Sequence, residues 1–108
     1  MTGLLAVTSA TPDGDHIGVR VAGDLDFTTC RTLILTVNAH LVQGIAHVTL
    51  DASALDFCDS AGLGALVTMH RTLLRIGGTL VIRHPRGPVS RLFALTGLDT
   101  VLTVVHAR

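Results

Sequence analysis

The stretch Ser60–Arg83, SAGLGALVTMHRTLLRIGGTLVIR, changes its hydrophobic period partway along. Leu63, Leu66, Val67, His70, Leu73, Leu74 and Gly77 recur at helical spacing, with Thr68, Arg71, Thr72 and Arg75 on the opposite side. That pattern predicts an amphipathic helix with one face on a core. Gly77-Gly78 ends it, and Thr79-Leu80-Val81-Ile82-Arg83 then reads as a strand. A helix that feeds a strand this directly is a unit of an α/β fold.

The flanking sequence repeats the unit. Upstream, Ile45-Ala46-His47-Val48-Thr49-Leu50 reads as a buried strand. Before it, Cys30, Leu33, Ile34, Val37 and Leu41 fall at helical spacing, with Thr28 or Thr29 as the expected N-cap and Gly44 as the stop. Gly23–Thr29 reads as a loop. Leu4–Thr8 is β-prone, His16–Val21 alternates with period two, and Asp13-Gly14 between them signals the turn of an antiparallel hairpin. Downstream, Pro88 suits a first helical turn, and Val89, Leu92, Phe93 and Thr96 form a short stripe closed by Gly97. Val101–Val105 is a last strand. The order ββαβαβαβ predicts one α/β domain over residues 1–108, with a mixed, mostly parallel sheet, an N-terminal hairpin and helices packed on it.

Composition narrows the function classes. Of 108 residues, 48% are hydrophobic and 15% charged, which excludes a disordered chain. Eight Arg balance eight Asp, and Lys and Glu are absent. A neutral chain has no global pull toward nucleic acid or an anionic membrane. The balance is uneven along the sequence: residues 1–59 carry two Arg and seven Asp, and residues 60–108 carry six Arg and one Asp. Trp and Tyr are absent and Phe numbers three, too few for a base-stacking platform. No apolar run approaches the roughly 18 residues needed to span a bilayer. Two cysteines, Cys30 and Cys58, lack metal-like spacing, and a reducing cytoplasm is the expected setting. The six histidines are scattered, so no metal site and no cofactor is expected.

The chemistry is expected between the third strand and the long helix. Ser60 sits where that helix starts and reads as its N-cap. Backbone N–H groups and the positive dipole end gather there, so the fold would tolerate a phosphate on Ser60. On spacing alone the plainer reading carries more weight: Ser60 as a simple N-cap, with Gly62 and Gly64 permitting close packing. A hydrolase elbow needs Gly-x-Ser-x-Gly, and Cys58-Asp59-Ser60-Ala61-Gly62 has only the second glycine. A phosphate-binding loop needs a lysine, and there is none.

Asp59-Ser60-Ala61-Gly62-Leu63-Gly64-Ala65-Leu66 resembles the switch motif of STAS domains, in particular bacterial anti-sigma factor antagonists. Gly23-Asp24-Leu25-Asp26 with Thr29 and Leu33, Val48-Thr49-Leu50-Asp51, Gly77-Gly78-Thr79-Leu80 and Arg91–Leu98 resemble further stretches of that family, in the same order over roughly residues 4–105. The resemblance implies a non-enzymatic regulator. Its phosphoacceptor would be Ser60, its kinase an anti-sigma factor, and a serine phosphatase would reset it. Nucleotide would arrive on that kinase. The unphosphorylated form would bind the anti-sigma factor and free a sigma factor. Asp24, Asp26, Phe27, Thr29, Asp59, Ser60, Ala61, Gly62 and Leu63 would form the partner-binding surface. Asp24 stands where the family usually has Glu, and Ala61 where it often has a second hydroxyl. Many members also carry a helix after the last strand, a region where this sequence reaches Arg108. The alternative within the resemblance is a STAS domain that does not switch, serving as an accessory or scaffold subunit of a transporter or stress-sensing complex.

Overall fold

The computed structural model describes residues 4–106. Its elements run β1 (Leu5–Ser9), β2 (His16–Leu25), α1 (Cys30–Val42), β3 (His47–Cys58), α2 (Ser60–Arg75), β4 (Thr79–Arg83), α3 (Gly87–Thr96), a 3-10 turn (Leu98–Thr100) and β5 (Thr103–Val105). The expected α/β order is present. The five strands lie side by side in chain order. β1 pairs antiparallel with β2, and every later pair is parallel. Each parallel step advances one strand in the same direction, and right-handed crossovers then place α1, α2 and α3 over one face of the sheet.

That face holds the core. Ile17, Val19 and Val21 of β2, Val48, Leu50 and Ala52 of β3 and Leu80 and Ile82 of β4 are buried there, with Leu33 and Val37 of α1 and Phe93 of α3. The glycine stops stand where the sequence placed them: Gly44, Gly77 and Gly97 follow the three helices with positive φ. The opposite face bears the row Arg20, Asp51 and Arg83, which lie in register on β2, β3 and β4. With Thr8, Gly18, Thr49 and His84 nearby, that row lines a cavity of about 490 Å³.

Three expectations change. β2 and β3 are longer than their hydrophobic runs, ending at Leu25 and Cys58 rather than near Val21 and Leu50. Beyond the reach of β4 the two strands continue on each other, pairing Asp24 with Phe57 and Leu25 with Cys58. Register shifts between Arg20 and Ala22 and between Gly23 and Asp24 break the strict alternation that the sequence reading relied on. The last strand is only Thr103–Val105, because Leu98–Thr100 turns and Thr100 Oγ1 donates to the Gly97 carbonyl at 2.6 Å. Third, α2 is rotated from its expected stripe. Ala65 and Met69 join Leu63, Leu66 and Leu73 in the core, while Leu74 is 56% exposed.

The rotation of α2 gives a direct test. Met69→Ala should destabilise the fold by about 2–5 kcal/mol through the cavity it leaves. Leu74→Ala should change stability by less than about 1 kcal/mol, as an exposed substitution does. Urea melts of the two variants check the assignment; equal losses would place Leu74 in the core instead.

Candidate functional site

The overhanging ends of β2 and β3 meet the start of α2, and Asp59 joins them. Its backbone is extended (φ −99°, ψ −173°), so it is the N-cap of α2. Carboxylate Oδ1 accepts from Gly62 N at 2.9 Å, and Oδ2 accepts from Phe27 N at 3.2 Å. Its own N–H donates to the Leu25 carbonyl at 3.2 Å. The expectation that Ser60 caps the helix is therefore corrected. Ser60 already belongs to the helix, one residue past the cap, and its side chain is exposed rather than spent on the backbone.

Gly62 is the tightest point of the site. A Cβ there would lie 2.3 Å from the Leu25 carbonyl oxygen and 2.8 Å from Cys58 Sγ. Its lack of a side chain lets α2 settle onto the end of β2. Gly64 is different: it is exposed, and a Cβ there would meet nothing within 4 Å, so close packing does not explain it. Cys58 is buried beneath this junction. Burial pushes its thiol from the ordinary 9.0 up to about 12, with the nearby Asp59 charge adding to the effect. A thiol so disfavoured as thiolate is a packing group, not a nucleophile.

The loop before α1 is built on Asp26. Its Oδ1 accepts from Thr28 N at 2.9 Å, from the Thr28 hydroxyl at 2.7 Å and from Thr29 N at 3.1 Å. The Thr28 hydroxyl foremost, then these N–H groups, hold the Asp26 carboxyl below its usual value. Thr29 precedes α1, yet its backbone is already helical and its side chain makes no capping bond. Its buried hydroxyl instead donates to the Asp24 carbonyl at 2.7 Å, and Asp26 N donates to that hydroxyl at 2.9 Å. The Asp26 carboxylate thus does the work expected of Thr28 or Thr29.

The nine residues expected to bind a partner do come together, but in two layers. Phe27 and Ser60 are exposed, Phe27 at 79%. Asp24, Asp26, Asp59 and Ala61 are half-buried. Thr29, Gly62 and Leu63 are buried and support the surface from below. One residue of this end was missed by the sequence reading: Phe57, half exposed and paired with Asp24. Nothing in an isolated phenylalanine distinguishes surface from core; only the length of β3 reveals it. Phe27 is thus exposed and Phe57 half exposed at the same end of the sheet. Asp56, at the same end, pairs with Arg86 from the start of α3.

Comparison with known proteins fits this geometry. The family model described as "Mlab, STAS domain" matches residues 9–105, and the chain belongs to the STAS domain family. An anti-sigma-B factor antagonist of Listeria monocytogenes is 28% identical over 92 residues, covering 85% of this chain and 81% of that protein. The crystal structure of an anti-sigma factor antagonist from Mycobacterium paratuberculosis superposes with a TM-score of 0.83 at 27% identity, covering 96% of this chain and 87% of that one. The Bacillus cell fate determinant SpoIIAA, solved in its phosphorylated form, shares the fold with a TM-score of 0.72 at 19% identity, over 92% of this chain and 90% of its own.

The two glycines of the motif should respond oppositely. Gly62→Ala must displace a carbonyl or a thiol and is expected to cost about 1–3 kcal/mol. Gly64→Ala, in an open helical position, is expected to gain up to about 1 kcal/mol. Thermal melts of the two variants measure this, and a Gly62→Ala protein as stable as wild type would contradict the close approach.

Proposed function

We propose that this chain is an anti-sigma factor antagonist whose partner binding is switched by phosphorylation of Ser60. The observation that carries the reading is the exposed Ser60 side chain at the start of α2, with capping delegated to Asp59. A kinase can reach that hydroxyl without breaking a bond that holds the helix.

In this reading the unphosphorylated surface docks an anti-sigma factor that is also a serine kinase, and a sigma factor is released. Phe27 supplies apolar contact, and Asp24, Asp26 and Asp59 set the local charge. A serine phosphatase restores the surface. The protein acts by binding rather than by catalysis, in the cytoplasm, without touching nucleic acid. No helix among the described residues is long and apolar enough to cross a membrane.

The switch follows from two opposed effects. Phosphate on Ser60 adds about −1.5 to −2 charges. At the N-terminal end of α2 the helix dipole favours that charge, so the fold survives. At the interface the same charge must be desolvated beside Phe27 and repelled by Asp59 and Asp26. Docking is weakened while the antagonist itself is unchanged in shape.

The test combines recovery, mapping and affinity. A pulldown should recover an anti-sigma factor with a kinase fold. Incubation with that partner and ATP should place phosphate on Ser60 by mass spectrometry and none on the Ser60→Ala variant. Calorimetry should show Ser60→Ala binding like wild type and Ser60→Asp binding at least tenfold more weakly. Phosphate elsewhere, or equal affinities, would overturn the switch. Recovery of transporter subunits without a kinase would favour the accessory role instead.

A further inference from the structure

The opposite end of the sheet holds a second cluster that the partner surface does not use. His16 begins β2, His47 begins β3 and Thr79 begins β4, and the parallel register sets the three side by side. Asp15 precedes His16. The His16 Nδ1 lies 2.9 Å from Asp15 Oδ1, and the His47 Nε2 lies 3.6 Å from Asp15 Oδ2. One ligand atom from each of the three falls within 4.8 Å of the others. We propose that Asp15, His16 and His47 bind a divalent transition-metal ion of the zinc class.

Two imidazoles and one carboxylate suit zinc, with water completing the shell. Ligands about 2.0–2.1 Å from a tetrahedral ion sit about 3.3–3.4 Å from one another, and His47 Nε2 already lies 3.6 Å from the Asp15 carboxylate.

Thr79 orients the His47 ring. Its Oγ1 lies 2.8 Å from His47 Nδ1. Assigning the Nδ1 proton to that bond leaves the Nε2 lone pair facing a carboxylate oxygen. In that tautomer the imidazole lone pair and the carboxylate oxygen offer a cation two ligand atoms. A hydrogen bond on the far nitrogen is also how metal-binding histidines are usually oriented.

Backbone hydrogen bonds tie the flanking segments together. The Asp15 carbonyl accepts from Ala46 N at 2.9 Å and from His47 N at 3.0 Å, and Thr79 N donates to the Ala46 carbonyl at 3.0 Å. Only His16 must move. Its ring now stacks on His47 at 4.4 Å with 20° between planes, and both nitrogens cannot share an ion from that stack. With its side chain 65% exposed, His16 is free to turn into place. The bound ion would staple the β1–β2 connection to the start of β3. It lies the length of β2 from Ser60, about 30 Å at strand rise, so this site stands independently of the switch. No metal site is expected from the sequence, because His16 and His47 are distant in it and only the parallel register unites them.

Tag-free protein stripped with a chelator should bind one zinc ion per chain in a calorimetric titration, with a rise in Tm. His16→Ala, at an exposed position that folding does not need, should abolish saturable binding and the Tm rise together. Thr79→Val should weaken binding by about 10–100-fold while keeping the stoichiometry. Histidine side-chain NMR should move His16 and His47 on zinc addition and leave His70 in place. Wild-type protein that shows no saturable uptake overturns the proposal, meaning a proton suffices between His47 and Asp15. So does unchanged binding in His16→Ala, which would put the ion on other histidines.

Discussion

The Asp59 carboxylate is the joint on which this molecule turns. One oxygen caps α2 through Gly62, and the other holds Phe27 at the mouth of α1. Two segments distant in sequence, the loop before α1 and the start of α2, therefore share one side chain. Because Asp59 takes the capping role, Ser60 is left with nothing structural to do. Its exposed hydroxyl is a consequence of that division of labour.

The joint exists because β2 and β3 overhang their neighbours. β3 runs past its last β4 partner at Asp51 and β2 past its last β1 partner at Gly23, so the tip pairs Leu25 with Cys58 alone, and α2 starts directly from it. Gly62 lets the helix sit against the Leu25 carbonyl. The two ends of the sheet then carry different chemistry. The overhang gathers Phe27, Phe57 and the acidic residues of the proposed interface. The other end gathers Asp15, His16 and His47. Net neutrality hides this arrangement, and the acidic first half and basic second half meet in contacts such as Asp56 with Arg86.

The helices and the hairpin were legible because their periods are clean. Leu33 and Val37 are buried where helical spacing put them, and Asp13 and His16 bridge around Gly14 as the turn signal implied. The strand ends were not legible. Gly23-Asp24 and Ser53-Ala54 look like loop, yet bulges let the strands run on through them, and a bulge leaves no periodic trace. Asp59 and Ser60 are both good caps in a linear sequence; the extended backbone arriving from β3 chooses Asp59. Leu74 and Met69 are equally apolar, and only the tilt of α2 on the sheet decides which is covered. The motif around Ser60 was readable through its resemblance to a family. Phe57 and the His16–His47 pair were not, since each depends on register between strands.

The central claim is that the overhang surface around Ser60 is where the partner docks. Hydrogen exchange of the protein alone and saturated with its anti-sigma factor measures this directly. New protection is expected in Asp24–Thr29 and Phe57–Gly64, with no change at His16, His47 and Thr79, and loss of that protection once Ser60 is phosphorylated. Protection confined to the cavity of Arg20, Asp51 and Arg83, or to the His16 end of the sheet, would contradict it.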